Sequence, residues 1–177
     1  MAATKPKSHI DLPLARGLPA SHAARLGRII ARCSQVEHYF LLITKRLLGV
    51  RIAEARILFA TGRWADQMQR MVDIARLRSF DLGIPDLRAF TDSLEKTESR
   101  RNLLAHAPFR LDGRQLLLFS TKSRYKPAGS LNRVTRAEVP ERHVVDVAYL
   151  KETTAWLDSH LRELRRIERL SRRLLSP

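Results

Sequence analysis

The sequence predicts an all-α protein, a helical bundle with a small antiparallel β-hairpin inserted before the last long helix. Three observations carry that expectation. Apolar residues recur at three- and four-residue steps over most of the chain, the spacing of a single helix face. Gly49, Gly83 and Pro108 stand where those stripes stop. Between Arg114 and Val139 the pattern changes to apolar and β-branched runs on either side of a Lys/Gly/Ser-rich connection.

The chain has 177 residues, 44% hydrophobic and 29% charged, the balance of a folded domain. Residues 1–19 carry Pro and Lys with little periodicity and read as a flexible N-terminal arm, leaving residues 20–177 as a single domain. Charge is the unusual feature: Lys plus Arg number 33 against 18 for Asp plus Glu, a net +15. Such an excess points to a polyanionic partner. Cys33 is the one cysteine, so no disulfide framework is expected and a reducing, cytoplasmic setting is inferred. No apolar run approaches the roughly 20 residues of a membrane span, and Met1 to Lys7 is not followed by a signal-peptide core, so no membrane association is expected.

Taken in order, Ser21 is placed to cap a helix running to about Leu48. Its inward stripe is Leu26, Ile29, Ile30, Cys33, Val36, Phe40, Ile43 and Leu47, and Gly49 ends it. Arg51 to Ala60 forms a short helix, broken by Thr61-Gly62. A second amphipathic segment runs from about Trp64 to Leu82, with Trp64, Met68, Met71, Ile74, Ala75 and Leu77 inward. Pro85 suits the first position of the next helix, whose stripe begins Leu87, Phe90, Leu94 and continues through Thr97, Arg101, Leu104 and Ala105.

Two charges interrupt these stripes. Glu37 sits four after Cys33 and three before Phe40, either at the stripe's edge in reach of water or buried against a cation. Arg101 interrupts the inward face of its own helix in the same way, so an inter-helix Glu37–Arg101 ion pair is the economical expectation. If that pair is buried, Glu37→Ala costs around 3 kcal/mol.

The hairpin is expected at about 110–140, from strands Arg114–Ser120 and Asn132–Val139. Its connection, residues 121–130, contains Lys122, Arg124, Tyr125 and Lys126. There cations can meet phosphates and an aromatic ring can stack on a base, or the loop is simply solvated. The final helix, about 147–175, puts Leu150, Trp156, Leu157, Leu161, Leu164, Ile167, Leu170 and Leu174 on one side. Arg162, Arg165, Arg166, Arg169, Arg172 and Arg173 form a basic flank able to follow a phosphate backbone or to serve as a solvated face.

Chemistry concentrates in Glu98-Ser-Arg-Arg-Asn-Leu-Leu-Ala-His106. Glu98, Asn102 and His106 are four apart and share one helical row, one step before a helix-stopping proline. His9, His22, His38, His106, His143 and His160 are scattered without zinc-site spacing, so no metal is expected. No glycine loop of the phosphate-binding kind is present, and no cofactor is expected. Cys33 lies on an apolar stripe and reads as a core thiol.

The Arg101-Asn102 pair with His106 four residues on, near the end of a late helix, resembles the motif of the HEPN domain superfamily. That family consists of small helical bundles with Arg, four to six residues, then His, often with Asn directly after the Arg. The resemblance covers roughly residues 20–107 and the closing helix, including a long first helix with an inward acidic residue, here Glu37. It departs after the His, where relatives often have Gly and this chain has Ala107-Pro108.

The resemblance implies a metal-independent endoribonuclease of toxin or defence type, with two copies of the motif facing one another across a homodimer and RNA as substrate. Arg101, Asn102 and His106 would be its catalytic residues, supported by Glu98 and Glu37. An antitoxin protein is an implied partner. Such a site needs a base for the 2′-hydroxyl, a cation for phosphorane charge and an acid for the leaving oxygen. Arg100, Lys122, Arg124, Tyr125 and Lys126 are candidate RNA contacts. The alternative is a non-catalytic HEPN-like module that binds nucleic acid or protein, in which Arg101 only bridges helices while Asn102 and His106 finish the helix end.

Overall fold

In the computed structural model the described residues are 18–59, 62–107, 109–112, 115–127 and 134–175, with side chains in the sheet described at 109, 116–118 and 142–145. Among these described residues five helices and a three-stranded sheet follow in the order α1 (Ala20–Leu48), α2 (Ile52–Phe59), α3 (Trp64–Leu77), α4 (Leu87–His106), β1 (Phe109–Asp112), β2 (Gln115–Pro127), β3 (Val134–Val145) and α5 (Val147–Leu174). The mostly helical class and the antiparallel hairpin ahead of the last long helix are as the sequence predicts. The N-terminal arm through residue 17 lies outside the described residues.

α1 and α5 form the backbone of the bundle. Ile29, Cys33, Val36, Phe40, Ile43 and Leu47 of α1 are buried, and they share a core with Leu150, Leu157, Leu161, Leu164 and Ile167 of α5. Arg32 pairs with Asp158, and Arg46 with Glu168 at 2.9 Å, so the two helices run in the same direction. Trp64, Met68 and Met71 of α3 and Leu94 of α4 close the same core. The methionines are packing residues.

Several boundaries differ from expectation. α1 begins from the Pro19 carbonyl, which accepts from the backbone N–H groups of His22 and Ala23, so Ser21 lies inside the helix and does not cap it. Gly49 ends α1 in the left-handed region at φ 70°, as its position predicts. α3 stops at Leu77 instead of Leu82, and Ser79 turns the chain at φ 53°. Phe80 and Leu82 still reach the core, but from a non-helical segment, and Leu77 is left 85% exposed. Ile30 at 42% and Leu174 at 68% exposure also fall off the stripes assigned to them.

Pro85 occupies a turn outside the helix it was expected to start. Asp86 is the N-cap of α4, its carboxylate accepting from the Ala89 N–H at 2.8 Å. Asp146 does the same for α5, accepting from the Tyr149 N–H at 2.7 Å.

The sheet is ordered β1-β2-β3 and antiparallel throughout. β2 pairs with β3 from Leu116 opposite Val145 to Pro127 opposite Val134. The hairpin is therefore longer than predicted: residues 121–127 continue β2 instead of forming a loop, and β1 is an added strand. Lys122, Arg124, Tyr125 and Lys126 sit on β2, and their side chains lie outside the described residues. Leu116, Leu118 and Val145 join the helical core, tying the base of the hairpin to the bundle.

Candidate active site

The expected ion pair between the two stripe-breaking charges is present. Arg101 Nη2 of α4 donates to Glu37 Oε1 of α1 at 2.7 Å, while its Nη1 donates to Asn102 Oδ1 at 2.9 Å. One guanidinium thus fixes both the carboxylate across the helix interface and the amide beside it. The pair is only partly covered, with Arg101 27% and Glu37 42% exposed, so the loss expected for a buried pair does not apply. A solvent-screened pair of this kind contributes about 1 kcal/mol.

Beneath the pair lies Cys33, buried in the α1 stripe. Burial pushes its thiol up to about 11, against the opposing pull of the Arg101 charge. It stays protonated and is a core thiol, as its position predicts.

The Glu37–Arg101 pair lines a cleft of about 590 Å³ between α1, α2, α3 and α4, together with His38, Arg56, Trp64 and Glu98. Glu98 has a different role from the one expected. Its Oε2 accepts the backbone N–H of Trp64 at 2.9 Å, so it caps the N-terminus of α3 and does not hydrogen-bond to Asn102 or His106. Arg63, the residue before that helix, offers no side-chain cap of its own, and a carboxylate from α4 meets the positive end of the α3 dipole in its place.

Asn102 and His106 are exposed on the outer side of α4. His106 is the last helical residue. Ala107 follows in an extended conformation, φ −74° and ψ 134°, as a residue before proline prefers. Among the described residues no hydrogen bond or ion pair engages the His106 ring, which leaves both nitrogens to solvent or to a ligand. The Oδ1 of Asn102 is occupied by Arg101, which turns the amide NH₂ outward.

Arg100 is placed apart from this group. Its guanidinium lies over the Tyr149 ring at 4.4 Å and the Trp156 ring at 3.9 Å, and it pairs with Glu152 at 2.8 Å. It therefore clamps α4 onto α5 and is not presented as an RNA contact. No ligand-like spacing marks His38 in the sequence. Its position next to Glu37 was the one available signal, and it supplies an imidazole to the cleft wall.

The arrangement has two parts: a half-covered cation oriented by Glu37 with the exposed Asn102 amide beside it, and the exposed His106 imidazole about one turn further along the same helix. Together they can hold a phosphate and move a proton. Among the described residues no three His, Cys, Asp or Glu side chains converge as a metal cluster, and no helix is long and apolar enough to cross a membrane. Compared with known proteins, the chain matches no family model, no curated protein and no solved structure.

Proposed function

We propose that this protein is a metal-independent endoribonuclease of the HEPN type, acting in a toxin or defence role on RNA and completing its site from two copies of the chain. The observation that carries the reading is the fixed Arg101: its guanidinium is oriented by Glu37 on one side and Asn102 on the other, with His106 unengaged one turn further along α4.

In this reading the 2′-oxygen of a ribose attacks the adjacent phosphorus. The 2′-hydroxyl proton passes to an imidazole acting as base, and Arg101 and the outward Asn102 amide carry the charge that develops on the phosphorane oxygens. The bond from phosphorus to the 5′-oxygen then breaks, and the leaving oxygen takes a proton from a second imidazole acting as acid. The products are a 2′,3′-cyclic phosphate and a 5′-hydroxyl. His106 takes one proton-transfer role and His106 of a second copy the other. The net charge of +15 favours the encounter with RNA.

The test is turnover of labelled RNA by the purified chain, in buffer with and without a metal chelator. Cleavage leaving cyclic phosphate ends, indifferent to chelator and abolished by His106→Ala with unchanged helicity, is the expected result. Absence of cleavage of any RNA by the wild-type chain sinks it. The site would then be a non-catalytic binding module, a reading that the double anchoring of Arg101 within its own chain also fits.

A further inference from the structure

A second cationic groove lies along α1 beside the cleft of Glu37 and Arg101. Tyr39, Arg162, Arg165, Arg166 and Arg169 line a groove of about 620 Å³ between α1 and α5, with Glu163 and Glu168 as its acidic lining among the described residues. Both carboxylates are already committed. Glu163 pairs with Arg166 at 2.8 Å, and the buried Glu168 lies between Arg46 and Arg172, 2.9 Å from each.

Among the described residues Arg162, Arg165 and Arg169 form no ion pair, and Arg169 Nε donates only to the Arg165 carbonyl at 3.4 Å. These three recur at steps of three and four, so they form one exposed row about 10 Å long on α5. Arg165 lies 5.8 Å from the centre of the Tyr39 ring, which places an aromatic face within the row of cations. Guanidinium groups outside ion pairs beside a half-buried ring that already stacks loosely on one of them are what a single strand requires, the cations for its phosphates and the ring, once that guanidinium turns to a phosphate, for a base.

The groove is next to the candidate active site. His38 lines the cleft of Glu37 and Arg101, Tyr39 lines the arginine groove, and the two rings meet edge to face at 6.3 Å. One strand can therefore cross α1 at His38–Tyr39 and lie in both.

We propose that the Tyr39/Arg162/Arg165/Arg169 groove is an exosite for the sugar-phosphate backbone of single-stranded RNA, which holds the strand flanking the position presented to Arg101. The proposal rests on the ribonuclease reading for the nature of its ligand, but its test does not depend on cleavage. A fluorescein-labelled uridine oligomer of about 12 nucleotides with 2′-O-methyl sugars lacks the attacking hydroxyl and is bound without being cut. Its affinity for the full chain is measured by anisotropy over a range of salt concentrations.

Three phosphate contacts on a single strand contribute about 2 to the slope of log affinity against log salt. Arg162→Gln/Arg165→Gln/Arg169→Gln is expected to weaken binding at least tenfold and to lower the slope by about that amount. Tyr39→Leu is expected to weaken binding severalfold at an unchanged slope, with Tyr39→Phe binding as the wild type does. Arg28→Gln/Arg88→Gln/Lys151→Gln removes the same charge from exposed positions elsewhere, and should change affinity and slope much less. Equal losses in the two triple variants, or a groove variant that binds like the wild type, would overturn the exosite. Neither outcome bears on whether native RNA is cleaved, which the turnover assay decides.

Discussion

Glu98 on α4 accepts the Trp64 backbone N–H at 2.9 Å, so that a carboxylate 34 positions away caps the helix that carries the largest core side chain. The contact fixes α3 against α4 at the wall of the cleft that holds Arg101. Glu98→Ala leaves that N–H and the α3 dipole without their acceptor and should destabilise the fold by about 1 kcal/mol. Glu98→Gln keeps an acceptor oxygen and should recover most of the loss. Urea midpoints of the three proteins measure it, and an unchanged midpoint for the alanine variant would show that water replaces the cap.

The Glu37–Arg101 pair is more important for orientation than for stability. Because both groups are partly solvated, Glu37→Ala should lower stability by only about 1 kcal/mol. The same change frees the guanidinium from one of its two anchors, and RNA cleavage should fall by about tenfold or more through lost positioning. A double-mutant cycle with Arg101→Met separates the effects. Coupling in stability well above 1 kcal/mol would mean that the pair is a structural strut.

His160 gives the fold a pH dependence. It is 3% exposed, packed edge-on to Phe90 at 5.4 Å, and its Nε2 lies 3.0 Å from Thr97 Oγ1. The Thr97 hydroxyl already donates to the Ser93 carbonyl at 2.8 Å, so His160 Nε2–H is the donor to Thr97 Oγ1. Burial lowers its pKa from 6.5 to about 4. As pH falls, the unfolded chain binds the proton first, so stability is intact above about 6.5 and is lost on the way down to about 4. Between about pH 7.5 and 5.5 the loss should be about 1 kcal/mol. Chemical denaturation at the two values measures it, and His160→Gln should remove this component at the cost of lower stability near neutrality.

Gly83 is constrained twice. It adopts φ +65°, and a Cβ there would stand 2.8 Å from Nη1 of Arg166, whose Nη2 donates to the Gly83 carbonyl at 2.7 Å. Gly83→Ala should cost about 1–2 kcal/mol from the left-handed backbone alone. The arginine tip can swing aside, so Arg166→Ala in the same background should not restore the loss. A thermal midpoint for Gly83→Ala equal to that of the wild type would show that the turn relaxes.

These contacts mark what could be read from the sequence and what could not. Glu37 and Arg101 were legible as partners because each breaks an apolar stripe, and two charges facing one core have few ways to be satisfied. The stripes of α1 and α5 were legible for the same periodic reason. The end of α3 was not. Phe80 and Leu82 continue the apolar content, but Ser79 turns the chain and the Asp81 carboxylate accepts the Gly83 N–H at 2.7 Å, a local turn that competes with the helix. Nor was the role of Glu98, since its spacing to Asn102 and His106 along α4 is local whereas its partner belongs to another helix. The cation row of α5 was visible, but only the burial of Glu168 and the approach of Tyr39 show which arginines remain uncompensated.

The number of copies needed for chemistry follows from the placement of the imidazoles. A cyclising cleavage uses two proton-transfer groups, and His106 on the exposed side of α4 is absent from the lining of the cleft that His38 shares with Arg101. If His106 of a second copy is the other group, activity per chain should fall on dilution as the dimer dissociates. Added His106→Ala protein should then depress the activity of the wild-type chain by forming mixed dimers. If His38 is the other group, activity per chain stays constant on dilution and His38→Ala abolishes it. Initial rates across a wide range of chain concentration, paired with sedimentation at the same concentrations, decide between one chain and two. The two-copy site predicts that rate and dimer fraction fall together.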